Sequence, residues 1–324
     1  MILTNASRNK LIKLAVLFFV LSAGNIFSMG GRQTVPEPIP QPSQLYLNDS
    51  STPEQQQDRA EQVVKALFAA YPRQIERVEF RNGDWAVLMR DRWFYFAGGR
   101  MLPEALLPNA ANYNPQPFYN YRKELPPWRE PSPEEAARFS SMASNRSRSP
   151  LRRSPHFFDA LWRIHNREES YQRVKTIRFL GSSINVHYLI MENLALVEEH
   201  ILAAARTDSQ VQAWVNNLNV LEGWNWRDIA ETQSRSFHAY GLAVDLLPRS
   251  LGGMETYWLW AVDRRADWWN ISYNGRYHPP AAVIDAFEKY GFIWGGKWLF
   301  FDTMHFEYRP EILILSGMPL ETRR

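Results

Sequence analysis

Ten consecutive residues, Ser236-Phe237-His238-Ala239-Tyr240-Gly241-Leu242-Ala243-Val244-Asp245, constrain this chain more than any other stretch. They set an imidazole and a carboxylate seven residues apart, and the carboxylate lies inside an apolar run that continues through Leu246 and Leu247. A carboxylate in such a run is costly to bury unless it is paired or bound to a metal. About sixty residues later comes Asp302-Thr303-Met304-His305-Phe306-Glu307, in which a histidine stands in an aromatic, strand-like segment. Together the clusters offer two imidazoles and one carboxylate as ligands, with a further carboxylate to serve as a base. That is the inventory of a catalytic zinc site, where three protein groups hold the metal and a fourth position stays open. The competing explanation is structural: a capped turn with a salt-bridged aspartate, and a satisfied core histidine. Two segments that each carry an ionisable pair favour the metal.

The 324 residues leave room for a catalytic domain and a smaller companion. A chain that is 45% hydrophobic and 22% charged is ordinary for a globular protein, and a net charge of +3 is too small to argue for nucleic acid, so no nucleic-acid partner is expected. The absence of cysteine excludes thiolate-held zinc and disulfides. The thirteen tryptophans read as large core residues rather than as a sugar-stacking surface.

Residues 1–28 have the layout of an export signal, with Arg8, Lys10 and Lys13 ahead of an apolar core from Leu14 to Leu21. That core is short of the ~20 residues of a membrane span. The chain is therefore expected to be exported to the periplasm or cell envelope; Ser22, Ala23, Gly24 and Ser28 offer cleavage positions, and an uncleaved signal is the alternative that would anchor it to a membrane. Residues 29–53, centred on Val35-Pro36-Glu37-Pro38-Ile39-Pro40-Gln41-Pro42, read as a Pro-rich linker. Residues 54–106 read as a small helix/β-meander unit without visible chemistry. Its helix starts with Thr52, Pro53 and Glu54 and carries Ala60, Val63, Val64, Leu67 and Tyr71 at helical spacing, and its first hairpin turns on Asn82-Gly83. The prolines, asparagines and serines of 107–155 suggest a second linker, in which Arg146, Arg148, Arg152 and Arg153 form a solvated basic run drawn to anionic envelope polymers. Within 156–324, helices over 189–206 and 281–290 and one capped by Asp208 mix with strand-like pieces at 242–247, 292–294 and 298–301. That mixture, without βαβ alternation, predicts an α+β domain. A monomer is expected.

The site residues resemble those of the M15 metallopeptidases, the family of zinc D-Ala-D-Ala carboxypeptidases and endolysins. Ser236 to Asp245 is similar to that family's S-x-H-x-x-G-x-A-x-D motif. Gly295-Gly296-Lys297-Trp298 followed by Asp302 to Glu307 resembles its closing G-G-x-W and D-x-x-H-F-E segment. The resemblance covers roughly residues 185 to 310. It implies a hedgehog/DD-peptidase-like zinc peptidase domain with a small antiparallel sheet, zinc held by His238, Asp245 and His305, and Asp302 as the general base toward a zinc-activated water. The implied substrates are peptidoglycan stem peptides, cut by a D,D-carboxypeptidase or an L-Ala-D-Glu-type endopeptidase. Some branches carry glutamate where this chain has Asp302, which places it closer to the endolysin-like branch. Glu307 is the rival base and is preferred as a partner of a metal-binding histidine. The family's substrate-binding arginine corresponds to Arg227 or Arg235, with Arg227 preferred, although a salt bridge from it to Asp228 or Glu231 is equally compatible. Ser236 orients the loop or contacts peptide. A non-catalytic, zinc-containing peptidoglycan-binding envelope protein is the second reading, and the retained Asp302 speaks against it. His156, His165, His187, His200 and His278 show no ligand spacing with a partner.

Overall fold

Thr52 starts the first helix, α1 (Pro53–Ala70), by a reciprocal pair of bonds. Its Oγ1 accepts from the Gln55 N–H at 3.2 Å while its own N–H donates to Gln55 Oε1 at 2.9 Å. The computed structural model describes residues 52–145, 148, 151–230 and 232–321, so the export signal, most of the first linker, Arg146 and Glu231 lie outside the described residues. Ala60, Val63, Val64 and Leu67 line the buried face of α1. That face meets an antiparallel meander of β1 (Arg77–Arg81), β2 (Asp84–Met89), β3 (Arg92–Tyr95) and β4 (Leu102–Pro103). Asn82 (φ 52°) and Gly83 (φ 81°) are both left-handed in the first turn, the conformation that makes Asn-Gly a hairpin signal.

The segment expected to be a second linker is ordered and packed. β5 (Tyr113–Asn114) pairs in parallel with β6 (Arg152–Arg153), and between them runs α2 (Pro133–Asn145), capped by reciprocal bonds between Ser132 and Glu135. Phe118, Tyr119 and Tyr121 are buried, and Phe139 enters a small aromatic core. Four aromatic side chains outweigh the polar composition, because each removes a large apolar area from water.

The remaining chain forms α3 (His156–Trp162), α4 (Arg167–Arg173), the hairpin β7 (Val174–Phe179) and β8 (Ser182–His187), α5 (Met191–Ala205), α6 (Ser209–Asn217) and β9 (Leu218–Glu222). Then follow β10 (Ala243–Pro248), α7 (Trp258–Val262), α8 (Ala281–Lys289), β11 (Phe292–Trp294), β12 (His305–Tyr308) and α9 (Pro310–Leu315). An antiparallel sheet in the order β11-β12-β10-β9 carries the two site clusters, so the architecture is α+β. The helices over 191–205, 209–217 and 281–289 agree with their periodicity and caps. By contrast, 298–301 is not a strand. Leu299, Phe300 and Phe301 turn into the aromatic core with Trp258 and Trp268 instead of joining a ladder. The hairpin β7–β8 and strand β9 carry mixed polar residues and stay partly exposed, so no apolar run announces them.

One hydrophobic core joins α1 of the N-terminal unit to the sheet, including Leu67, Tyr71, Trp162, Val186, Leu194, Phe287 and Phe306. Phe287 of α8 stacks on Phe306 of β12 at 3.9 Å between ring centroids. No helix among the described residues is long and apolar enough to cross a membrane.

Gly241 closes the turn that carries His238, with φ 71°, and its carbonyl accepts from the His187 N–H at 2.8 Å. A Cβ there would stand 2.7 Å from that same nitrogen. Gly241→Ala should therefore cost at least ~1 kcal/mol from the left-handed conformation alone, read as a lower urea midpoint at unchanged slope.

Candidate metal centre

His238 sits in a single 3-10 turn, Phe237–Tyr240, where Ser236 Oγ accepts from the His238 N–H at 3.3 Å. Its ring is fixed from behind by the Gly223 carbonyl, 2.5 Å from Nδ1. A carbonyl only accepts, so Nδ1 carries a proton and Nε2 is turned toward the cavity. Asp245 lies on β10 directly opposite His305 on β12 in the antiparallel register. His305 Nε2 faces Glu307 Oε2 at 3.1 Å, which turns Nδ1 toward the same point.

Three ligand atoms therefore converge. His238 Nε2 is 3.2 Å from His305 Nδ1 and 3.2 Å from Asp245 Oδ1, and His305 Nδ1 is 2.9 Å from Asp245 Oδ1. Tetrahedral zinc ligands at 2.0–2.2 Å from the metal stand roughly 3.3–3.5 Å apart, so the observed triangle is close to the size zinc needs. All three side chains are buried, and among the described residues they form the group able to hold a metal ion. The donor set fits a divalent cation such as zinc.

The electrostatics agree. Burial alone would depress His305, but its bonds to Asp245 and Glu307 raise it to about 10. In the metal-free protein it is an imidazolium, a cation standing where the acids require one. Burial opposes ionisation of Asp245, yet the two imidazoles hold its carboxyl well below the ordinary range. Glu307 is likewise held down, against burial, by His305 and Arg309.

Asp302 occupies the same cavity. Its backbone is pinned by a bond from its N–H to the Gly295 carbonyl at 3.1 Å. A Cβ at Gly295 would meet the Asp302 carbonyl at 2.6 Å, and one at Gly296 would run into the Trp294 ring at 2.1 Å, which explains the paired glycines. Asp302 is half-buried, and its Oδ1 is shut away from solvent without a hydrogen-bond partner among the described residues. Burial, and then the Asp245 carboxylate, push it up to about 7.

The cavity measures about 410 Å³ and is lined also by Arg153, Glu222, Arg227, Tyr257, Trp260 and Trp298. Arg227 is exposed there and makes no ion pair among the described residues, Asp228 included. The other arginine candidate is corrected. Arg235 points away from the cavity, paired with Asp159 and lying over the Trp226 ring at 4.7 Å. Glu307 lines the cavity and bonds His305 Nε2 and Arg309 Nη1. His187 is a core residue, its Nε2 3.1 Å from the Trp162 carbonyl. Arg153 was taken for part of a solvated run, and its sequence carries no sign of the cavity, because the pairing of β5 with β6 brings it there. Glu222 was missed because β9 lacks an apolar signature, although it lies in register with Asp245.

An imidazole and a carboxylate on facing strands, a second imidazole from a turn, and a base-like aspartate in a shared cavity define a candidate metallohydrolase centre. Residues 230–308 match the family model described as D-alanyl-D-alanine carboxypeptidase, which supports the M15 peptidase family and a peptidase acting on peptidoglycan-type substrates. Residues 63–118 match a domain of unknown function. No curated protein and no solved structure matches this chain.

A chelated, metal-free sample provides a test of these charges. The folded state holds Asp302 at about 7 against an ordinary 3.8, and His305 at about 10 against 6.5. In both cases the folded state binds more protons than the unfolded one, so stability falls as pH rises through 3.8–7 and then 6.5–10. Thermal unfolding in chelator should show a melting temperature that declines from pH 6 to pH 10. Asp302→Asn should flatten the lower part of that decline.

Proposed function

We propose that this chain is an exported zinc metallopeptidase that hydrolyses peptide bonds in peptidoglycan stem peptides. It would act as a D,D-carboxypeptidase or an L-Ala-D-Glu-type endopeptidase on a hedgehog/DD-peptidase-like domain. The observation that carries this reading is the triangle of His238 Nε2, His305 Nδ1 and Asp245 Oδ1, each aimed by a partner behind it. Export rests on the residues of the N-terminal signal alone.

His238, Asp245 and His305 would hold the zinc, which supplies Lewis acidity and lowers the pKa of a water toward about 7. Asp302 accepts one proton from the attacking water and delivers it to the departing amine nitrogen. The carboxylate is thereby regenerated, and no net proton is left on the protein. Burial and the neighbouring Asp245 carboxylate raise the proton affinity of Asp302, which favours its taking up a proton. Arg227 offers paired donors to a substrate carboxylate or to the oxygen that becomes negative as the carbonyl is attacked. Arg153 adds a second guanidinium to the same cavity. Tyr257, Trp258, Trp298 and Phe300 wall the cavity with apolar surface, which strengthens each of these interactions by excluding water. The orphaned Asp302 oxygen favours catalysis over mere binding, since a binding module has no use for a buried carboxylate without a partner.

Incubation of the full chain with defined muropeptides, followed by mass spectrometry, tests the activity and identifies the bond. A chelator should abolish cleavage, and zinc should restore it; cleavage unchanged by chelation would overturn the reading. Asp302→Ala should reduce kcat by at least ~10²-fold while zinc content, measured by elemental analysis, stays at the wild-type level. Arg227→Ala should lower kcat/KM by roughly 10²-fold with zinc retained.

A further inference from the structure

The hydrogen bonds behind His305 do not end at Glu307. Arg309 Nη1 donates to Glu307 Oε1 at 3.2 Å, and Arg309 Nε donates to Glu311 Oε1 at 2.5 Å. The Tyr71 hydroxyl donates to Glu311 Oε2 at 2.5 Å, and Arg309 Nη2 donates to the Pro117 carbonyl at 3.0 Å. Residues 305 and 307 follow the period of two along β12, so their side chains share one side of the strand, and Arg309 stands just past its end. Every member is buried, from Glu307 at 8% exposed to Arg309 at 0%. Each carboxylate oxygen has one donor: His305 and Arg309 on Glu307, Arg309 and Tyr71 on Glu311. The Arg309 guanidinium also lies over the Phe237 ring at 4.7 Å, beside His238.

The far ends of this network belong to the N-terminal segment. Tyr71 is the C-cap of α1, and Pro117 begins the buried strap that also bonds the Trp298 indole to the Tyr119 hydroxyl at 2.7 Å. Both residues fall within 63–118, the stretch matched to a domain of unknown function. We propose that this segment positions a metal ligand, with Tyr71 holding His305 in its ligating orientation through Glu311, Arg309 and Glu307. The inference rests on the metal reading above. Loss of the Tyr71 hydroxyl leaves Glu311 Oε2 buried without a donor, a costly state. Glu311 then competes for more of the Arg309 donors, Glu307 loses its anchor, and the His305 ring is no longer aimed. Groups that orient a metal-binding histidine typically change metal affinity by about 10–100-fold when removed. A group acting through three intermediaries is expected to change it less.

The test is the zinc dissociation constant of the full chain, measured by competition with a chromophoric chelator. Glu307→Gln should weaken zinc binding by about 10–100-fold, and Tyr71→Phe by roughly 3–10-fold, a fraction of that direct effect. The double variant should be no weaker than Glu307→Gln alone, because one path carries both effects. Tyr95→Phe is the control. Its hydroxyl is buried in the same unit and accepts from Asn82 Nδ2 at 2.9 Å, but it lies outside the network. It should leave zinc affinity unchanged even where it lowers the melting temperature. Should Tyr71→Phe fail to fold, Glu311→Gln interrupts the same path and should weaken zinc by a similar factor. Wild-type affinity in Tyr71→Phe, equal weakening by Tyr71→Phe and Tyr95→Phe, or additive effects with Glu307→Gln would overturn the positioning role while leaving the zinc site intact. Wild-type protein that takes up no zinc would overturn both.

Discussion

The antiparallel pairing of β10 with β12 sets Asp245 across from His305, and the rest of the site depends on that register. A slip of one residue would turn both side chains to the opposite face of the sheet, because side chains alternate along a strand. The register is held on both flanks. β11 pairs with β12 on one side, β9 pairs with β10 on the other, and Phe306 is stacked on Phe287 beneath. His238 enters from outside the sheet, on a turn whose glycine lets the backbone lie against His187.

Around this pair the charges are arranged to require a cation. Asp245, Asp302 and Glu307 share a small buried volume, where the mutual repulsion of carboxylates is strong and little screened. The protein resolves it unequally. His305 and Arg309 keep Glu307 ionised, the two imidazoles keep Asp245 ionised, and Asp302 alone is pushed up. Two neighbouring carboxyls with divergent affinities for a proton are the arrangement that lets one residue type serve two different roles.

The N-terminal unit is part of this arrangement. Its helix and the strap at 116–121 share the core of the sheet, and their polar groups end on the ion pairs behind the site. Removing one partner from a buried ion network leaves an uncompensated charge, which costs far more than the intact network contributes. Such a network tolerates few geometries and so holds its members in one arrangement.

The sequence by itself determined the candidate ligand types, their order and the glycines between them. An acid embedded in Leu242-Ala243-Val244-Asp245-Leu246-Leu247 is intelligible without coordinates, since burial of a charge demands a partner. It also determined α1, the Asn82-Gly83 turn and the three helices over 191–205, 209–217 and 281–289, because caps and periodicity are local properties. Only the tertiary structure decided which arginine faces the cavity: Arg227 and Arg235 differ in neighbours brought from distant segments, Asp159 among them. It likewise decided that 116–121 is packed rather than a linker, that 298–301 bends away from any ladder, and that Arg153 and Glu222 line the cavity. Those outcomes depend on contacts between residues far apart in the chain, and spacing along the sequence does not encode which of many possible contacts the core will select.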